Sequence, residues 1–88
     1  MNLSYHAALM LSKLQQKYSS SPFTINDMLK SVFGLMDTMK KKQSVNELLG
    51  TFFIEQTGSV YSEKLQQKTY DMFELSEAGK QFVIKIEK

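Results

Sequence analysis

Apolar residues recur every three or four positions at the start of the chain. The residues that share this spacing are Leu3, Ala7, Met10, Leu11, Leu14 and Tyr18. A period near 3.6 residues predicts an amphipathic helix with one apolar stripe. The segment Ser19-Ser20-Ser21-Pro22 ends this helix, because serine side chains compete for backbone hydrogen bonds and proline has no N–H donor.

A second, shorter helix is predicted after the proline. Thr24 and Asp27 form a start that resembles a capping box, with Asp in place of the usual Glu. Gly34 closes the helix, since glycine readily takes the left-handed conformation that ends many helices. The predicted buried face of this helix consists of Met28, Leu29, Val32 and Phe33.

A third helix is predicted to begin at Asp37 or Thr38 and to end before Gly50. Its apolar face consists of Val45, Leu48, Leu49 and Phe52. Its opposite face consists of Lys40, Gln43 and Glu47, with Ser44 beside them. Lys41 lies nearer the apolar side, so the three consecutive lysines cannot all face one partner.

Past the third helix the pattern changes to that of β-strands. Residues 51–56 and 70–75 are rich in β-branched and aromatic side chains, and they predict two strands that return on each other. Thr57-Gly58-Ser59 supports a turn at the start of the polar segment between them.

A short helix is predicted last. Ser76 has a hydroxyl that can accept a hydrogen bond from the free N–H groups of a new helix. Glu77 places a negative charge in the first turn, where the helix dipole favours it. The helix runs through Phe82, although residues 82–86 fit an extended conformation equally well.

Residues 1–88 are expected to form one α+β domain. The chain has 42% hydrophobic and 23% charged residues, as ordinary globular domains do. It has no apolar run near the roughly 18 residues of a membrane span and no basic N-terminal start of a signal peptide, so we expect a cytoplasmic location. The predicted core is Leu11, Leu14, Met28, Leu29, Val32, Val45, Leu48, Leu49, Phe53, Leu75 and Phe82.

Cysteine and clustered histidines, which many enzyme and metal sites use, are missing. The chain has no cysteine and a single histidine, His6, which excludes thiolate sites and histidine clusters. Its four glycines are scattered and form no phosphate-binding loop. We therefore expect neither an enzyme activity nor a cofactor.

Three stretches of the chain share one interpretation, namely residues 23–29, 48–55 and 73–82. The first resembles the start of a helix-turn-helix, and the second resembles the step from a recognition helix into a β-wing. The third resembles the junction of a wing strand with a final helix in winged-helix DNA-binding domains, loosely those of the MarR and PadR families. The residues that match this junction position by position are Phe73, Leu75, Ser76, Gly79 and Phe82.

The resemblance implies a winged helix with a three-helix core, a two-stranded β-wing and a short C-terminal helix. It also implies a small transcriptional or replication-control regulator that binds double-stranded DNA sequence-specifically. The third helix would then enter the major groove and lysines of the wing would lie on phosphates. The expected DNA-binding residues are Thr38, Lys40, Lys41, Lys42, Gln43, Ser44, Asn46, Lys64, Gln67 and Lys68.

Alternatives to DNA binding stay open. All eleven basic residues are lysines, the net charge is only +2, and runs of charge usually form a solvated surface. Glu47 would also repel phosphate. The main alternative is a winged-helix module that contacts proteins only, and a weaker one is a helical adaptor without a wing.

The first helix carries more apolar surface than a small core is expected to cover. We therefore predict a homodimer that pairs through this helix and the C-terminal segment. The residues expected to be shared are Leu3, Met10, Tyr18, Val83 and Ile86.

Overall fold

A computed structural model describes residues 3–62 and 68–82, with the backbone alone for residues 60–62 and 68–70. The described elements are α1 (Tyr5–Lys17), α2 (Ile25–Ser31), α3 (Thr38–Gly50), β1 (Ile54–Ser62), β2 (Lys68–Leu75) and α4 (Glu77–Gln81). The α+β class and the order of the elements are confirmed. The two strands also show that the all-helical alternative is wrong.

Each of the four described helices begins at a side-chain cap. Ser4 accepts from the N–H of the third residue after it at 3.3 Å, Asp37 does so at 2.8 Å and Ser76 at 3.1 Å. At α2 the predicted capping box is present, because Thr24 and Asp27 each accept from the other's backbone N–H. These short-range bonds satisfy N–H groups that a helix leaves without partners, so they fix where each helix starts.

The turn after α2 departs from the predicted apolar face. The helix ends at Ser31, Val32 is its C-cap, and Gly34 has a φ of +79°, which a residue without a Cβ adopts freely. Phe33 therefore falls in the turn and not on the helix, and 81% of its surface is exposed. Its predicted place in the buried face is wrong.

The two strands are antiparallel and longer than predicted. Ile54 pairs with Leu75 at one end and Ser62 pairs with Lys68 at the other. The predicted turn at residues 57–59 is wrong, because Gly58 and Ser59 pair with β2 and Thr57 is absorbed as a bulge.

The exit from α3 explains why β1 begins at Ile54 and not at residue 51. Thr51 caps the helix, and Phe52 then takes a left-handed φ of 62°, which is unusual for a bulky residue. The side chain of Phe52 is 74% exposed, so its predicted place on the apolar face of α3 is wrong. Its carbonyl accepts a 2.7 Å hydrogen bond from the Ser76 hydroxyl.

The glycine of α4 lets this helix lie against the start of β1. A Cβ on Gly79 would overlap the carbonyl group of Phe53. The ring of Phe53 also packs against Phe82, with centroids 4.9 Å apart. Gln15 of α1 holds the other side of α4, because its amide donates to the carbonyls of Gly79 at 2.8 Å and Phe82 at 2.9 Å.

The core lies between α1, α2, α3 and one end of the sheet. Eight of the predicted core residues are buried, namely Leu11, Leu14, Met28, Val32, Val45, Leu48, Phe53 and Leu75. Leu29, Leu49 and Phe82 are half-buried and pack against them. The prediction missed Phe23 and Phe73, which are buried and exchange two backbone hydrogen bonds of 2.8 Å.

Met10 belongs to this core. It is fully buried within the chain, so its predicted role in a subunit interface is wrong. The reason is that α1 contacts α2, α3 and α4, and these helices cover its stripe from several sides. Leu3 and Tyr18 are half-buried, while Val83 and Ile86 lie outside the described residues.

Candidate nucleic-acid interface

One side of α3 packs into the core and the other carries a polar stripe open to solvent. Successive side chains turn by about 100° along a helix, so residues at i, i+3, i+4 and i+7 line up. We use the term α3 stripe for Met39, Lys42, Gln43 and Asn46, which have this spacing and are all exposed. Thr38 and Lys40 are also exposed and flank the stripe.

The three consecutive lysines point in different directions, as predicted. Lys40 and Lys42 are exposed, whereas Lys41 is half-buried with its ammonium 5.5 Å from the centre of the Phe33 ring. Such a cation–π contact holds Lys41 on the turn between α2 and α3. Among the side chains described, the one ion pair joins Lys80 and Glu77, so neither Lys40 nor Lys42 forms an ion pair with another described side chain.

Glu47 lies one turn after Gln43, beside the α3 stripe, and it is half-buried. Its carboxylate accepts a 2.7 Å hydrogen bond from the backbone N–H of Ser4, the cap of α1. The negative charge is stabilised there by the positive end of the α1 dipole. The α3 stripe itself contains two amides, one lysine and one methionine, and the carboxylate beside it is held by the N–H of Ser4.

Ser44 was predicted to contact DNA, and this is wrong. The residue is 1% exposed, and its hydroxyl donates to the carbonyl of Lys40, one turn earlier, at 2.8 Å. A serine that bonds its own helix in this way can be buried without an unsatisfied polar atom. Ser44 was assigned to the exposed face because it is polar, but its hydroxyl is bonded within the helix.

A shallow apolar groove runs between α2 and α3, beside the stripe. Its volume is about 340 Å³, and it is lined by Ile25, Leu29, Lys42, Val45, Asn46 and Leu49. The groove accounts for the partial exposure of Leu29 and Leu49, which were predicted as core. Its two polar lining residues belong to the α3 stripe, so the groove and the stripe form one continuous surface.

Large apolar side chains are exposed where α2 turns into α3. Phe33 and Leu35 lie in the turn, and Met39 follows in the first turn of α3 with 69% of its surface exposed. No pattern in the sequence distinguished them from core residues. An apolar residue at a turn is buried or exposed according to how the two helices pack, which is a property of the tertiary structure.

Of the three DNA-binding residues predicted after α3, the structure describes one. Lys68 begins β2, and Lys64 and Gln67 lie outside the described residues. Within the part of the chain that the structure describes, no group of three or more histidine or acidic side chains could hold a metal ion. In the same residues, no helix is long and apolar enough to cross a membrane.

Comparison with known proteins adds no relative to this picture. No family model matches the chain, and no curated protein or solved structure matches it significantly.

Proposed function

We propose that the chain is a winged-helix domain that binds double-stranded DNA as a small transcriptional or replication-control regulator. The observation that carries the proposal is the α3 stripe, which has two amide side chains and a lysine, while the neighbouring Glu47 carboxylate is held by the N–H of Ser4. A second support is the order of the elements, in which the stripe helix leads directly into a two-stranded antiparallel sheet.

In the proposed complex α3 lies in the major groove. The groove is roughly 12 Å wide and admits one helix, and the 13 residues of α3 are long enough to cross it. Gln43 and Asn46 face base edges, since their amides both donate and accept hydrogen bonds. Lys40 and Lys42 lie towards phosphates on either side, and Thr38 is near the backbone.

The sheet would act as the wing. Lys64, Gln67 and Lys68 are proposed to lie against phosphates across the neighbouring minor groove, where each neutralised phosphate releases counterions. Lys41 is proposed to contribute least among the three consecutive lysines, because its ammonium is already held over the Phe33 ring.

A homodimer belongs to the same proposal, because a two-fold dimer matches a palindromic site. With Met10 buried, the remaining candidates for the interface are Leu3, Tyr18, Val83 and Ile86. A molecular mass that stays at one chain across micromolar concentrations, measured by light scattering, would contradict a dimer.

A protein-interaction module without DNA binding is the second candidate. It is favoured by the exposure of Phe33 and Leu35, since large exposed apolar side chains that lie together are typical of contact surfaces. In that case the contact surface is the turn between α2 and α3, and the lysines of α3 are a solvated rim.

A salt titration of duplex binding separates the two candidates. Fluorescence anisotropy with a random duplex should give an affinity that falls with salt. Lys40→Ala and Lys42→Ala should each lower the slope of log K against log salt by about 0.9, the value for one phosphate contact. Lys17→Ala is the matched control, because Lys17 is an exposed lysine in the last turn of α1.

The result that would overturn the proposal is equally definite. If duplex binding is absent, or if its salt slope is the same in Lys40→Ala, Lys42→Ala and Lys17→Ala, α3 does not contact the DNA. The protein-interaction candidate then takes its place.

A further inference from the structure

Met39 is a large apolar side chain left exposed within a polar stripe. We infer that the α3 stripe selects A·T base pairs, with Met39 against thymine methyl groups and with Gln43 and Asn46 paired to adenine. This inference rests on the proposed binding of duplex DNA and names the class of site that would be bound.

The exposure of Met39 is the first step. Its side chain precedes Gln43 by four residues and Asn46 by seven, so the three lie along one line of α3. A partner that covers this line must accept an apolar group between hydrogen-bonding groups. In the major groove, the apolar group that base pairs present is the C5 methyl of thymine. Methionine suits such a contact because its unbranched side chain adapts to irregular surfaces.

The two amides are the second step. Asparagine and glutamine can form two hydrogen bonds with one adenine, donating to one ring position and accepting from its amino group. Gln43 and Asn46 are about one turn apart, so their side chains can reach neighbouring base pairs. The stripe therefore combines an apolar contact for thymine with two contacts for adenine.

The third step concerns the side chains that would favour G·C pairs. Arginine is the residue that most often pairs with guanine, and the chain contains none. A carboxylate would accept from cytosine, but the Glu47 carboxylate, one turn after Gln43, already accepts from the N–H of Ser4. Lys42 can donate to guanine, yet it sits at the edge of the stripe beside the α2–α3 groove, nearer to a phosphate position.

The test begins with two duplexes of equal length, one rich in A·T and one rich in G·C, at the same salt concentration. The wild-type chain should prefer the first. Gln43→Ala and Asn46→Ala should each weaken binding to the preferred duplex on the order of five- to one-hundred-fold. The same variants should change binding to the G·C-rich duplex much less.

Replacing thymine by uracil in the preferred duplex isolates the methyl contact, because the exchange removes the methyl group and leaves every base-pair hydrogen bond in place. Wild-type binding should weaken about three- to fourfold for each methyl contacted. Met39→Ala should bind the thymine and uracil duplexes equally. Leu35→Ala is the matched control, since it removes an exposed apolar side chain outside the stripe and should keep the preference for thymine.

The outcomes separate the inference from the proposed function. Salt-dependent binding with no preference between the two duplexes, or an equal effect of uracil on wild type and Met39→Ala, overturns the inference and leaves DNA binding in place. A complete lack of duplex binding overturns both. Met39 is exposed, so the alanine variant should fold, and an unchanged thermal midpoint checks this.

Discussion

Replacing Ser76 by alanine removes two hydrogen bonds that share one oxygen atom. The hydroxyl accepts from the N–H of Gly79 at 3.1 Å and so caps α4. It also donates to the carbonyl of Phe52 at 2.7 Å, in the strained turn between α3 and β1. Ser76 thus joins the last helix to the exit of α3, and the variant should loosen both.

The size of the effect can be worked out from the two bonds. Loss of a serine cap costs about 1 kcal/mol of stability, and loss of the donated hydrogen bond costs about another 1 kcal/mol. The expected total is about 2 kcal/mol. Ser4→Ala is the matched control, because Ser4 caps α1 by accepting from Ala7 and its hydroxyl donates to no described group. The control should lose about 1 kcal/mol or less.

Urea unfolding followed by circular dichroism measures the difference. The midpoint should fall further for Ser76→Ala than for Ser4→Ala, with an unchanged dependence on urea concentration in both. Ser76→Thr keeps the hydroxyl and should recover most of the loss. If Ser76→Ala is no less stable than Ser4→Ala, the bond to the Phe52 carbonyl contributes nothing and the reasoning is refuted.

Three further predictions test the packing, each by the free energy of unfolding in urea. Gly79→Ala should lower the stability by about 1–3 kcal/mol, because the added Cβ overlaps the Phe53 carbonyl. Gly50→Ala, with open space around the added Cβ, should raise the stability by up to about 1 kcal/mol. Equal effects of the two substitutions would contradict the close approach of Gly79 to the Phe53 carbonyl. Phe52→Asn should raise the stability by about 1 kcal/mol, because asparagine tolerates the left-handed conformation. A loss of stability would show instead that the Phe52 ring contributes by packing against its neighbours. Leu48→Ala should lower the stability by about 2–5 kcal/mol, and Leu49→Ala should lower it clearly less because Leu49 is only half-buried. A larger loss for Leu49→Ala than for Leu48→Ala would contradict this packing.

The helices could be predicted from the sequence because their signals are local. Thr24 with Asp27, and Ser76 with Gly79, act over three residues, and the structure confirms both caps. The apolar period placed Val45 and Leu48 correctly in the core for the same reason.

The errors concern properties that the tertiary structure decides. The exit from α3 uses a left-handed Phe52, and the strands extend past Gly58 because a bulge lets pairing continue across the chain. Met10 is buried because three other helices reach α1. Each of these features depends on a contact with a distant part of the chain, and the neighbouring sequence gives no signal for such a contact.

The exposure of the candidate site residues was predicted in part. Lys40, Gln43 and Asn46 are exposed on α3 as expected, whereas Ser44 turned inwards to bond its own helix. The bond of the Glu47 carboxylate to Ser4, a residue 43 positions earlier in the chain, was not predicted. The exposure of Met39 could not be foreseen, because an apolar residue on an amphipathic helix is normally assigned to the core.

The central claim is that α3 contacts duplex DNA, and amide chemical shifts test it most directly. The ¹H–¹⁵N spectrum of the chain should be followed while a duplex is added at low salt. Residues 38–46 should show the largest changes, and these changes should reverse when salt is raised. Changes confined to the turn around Phe33 and Leu35, or no change at all, would contradict it.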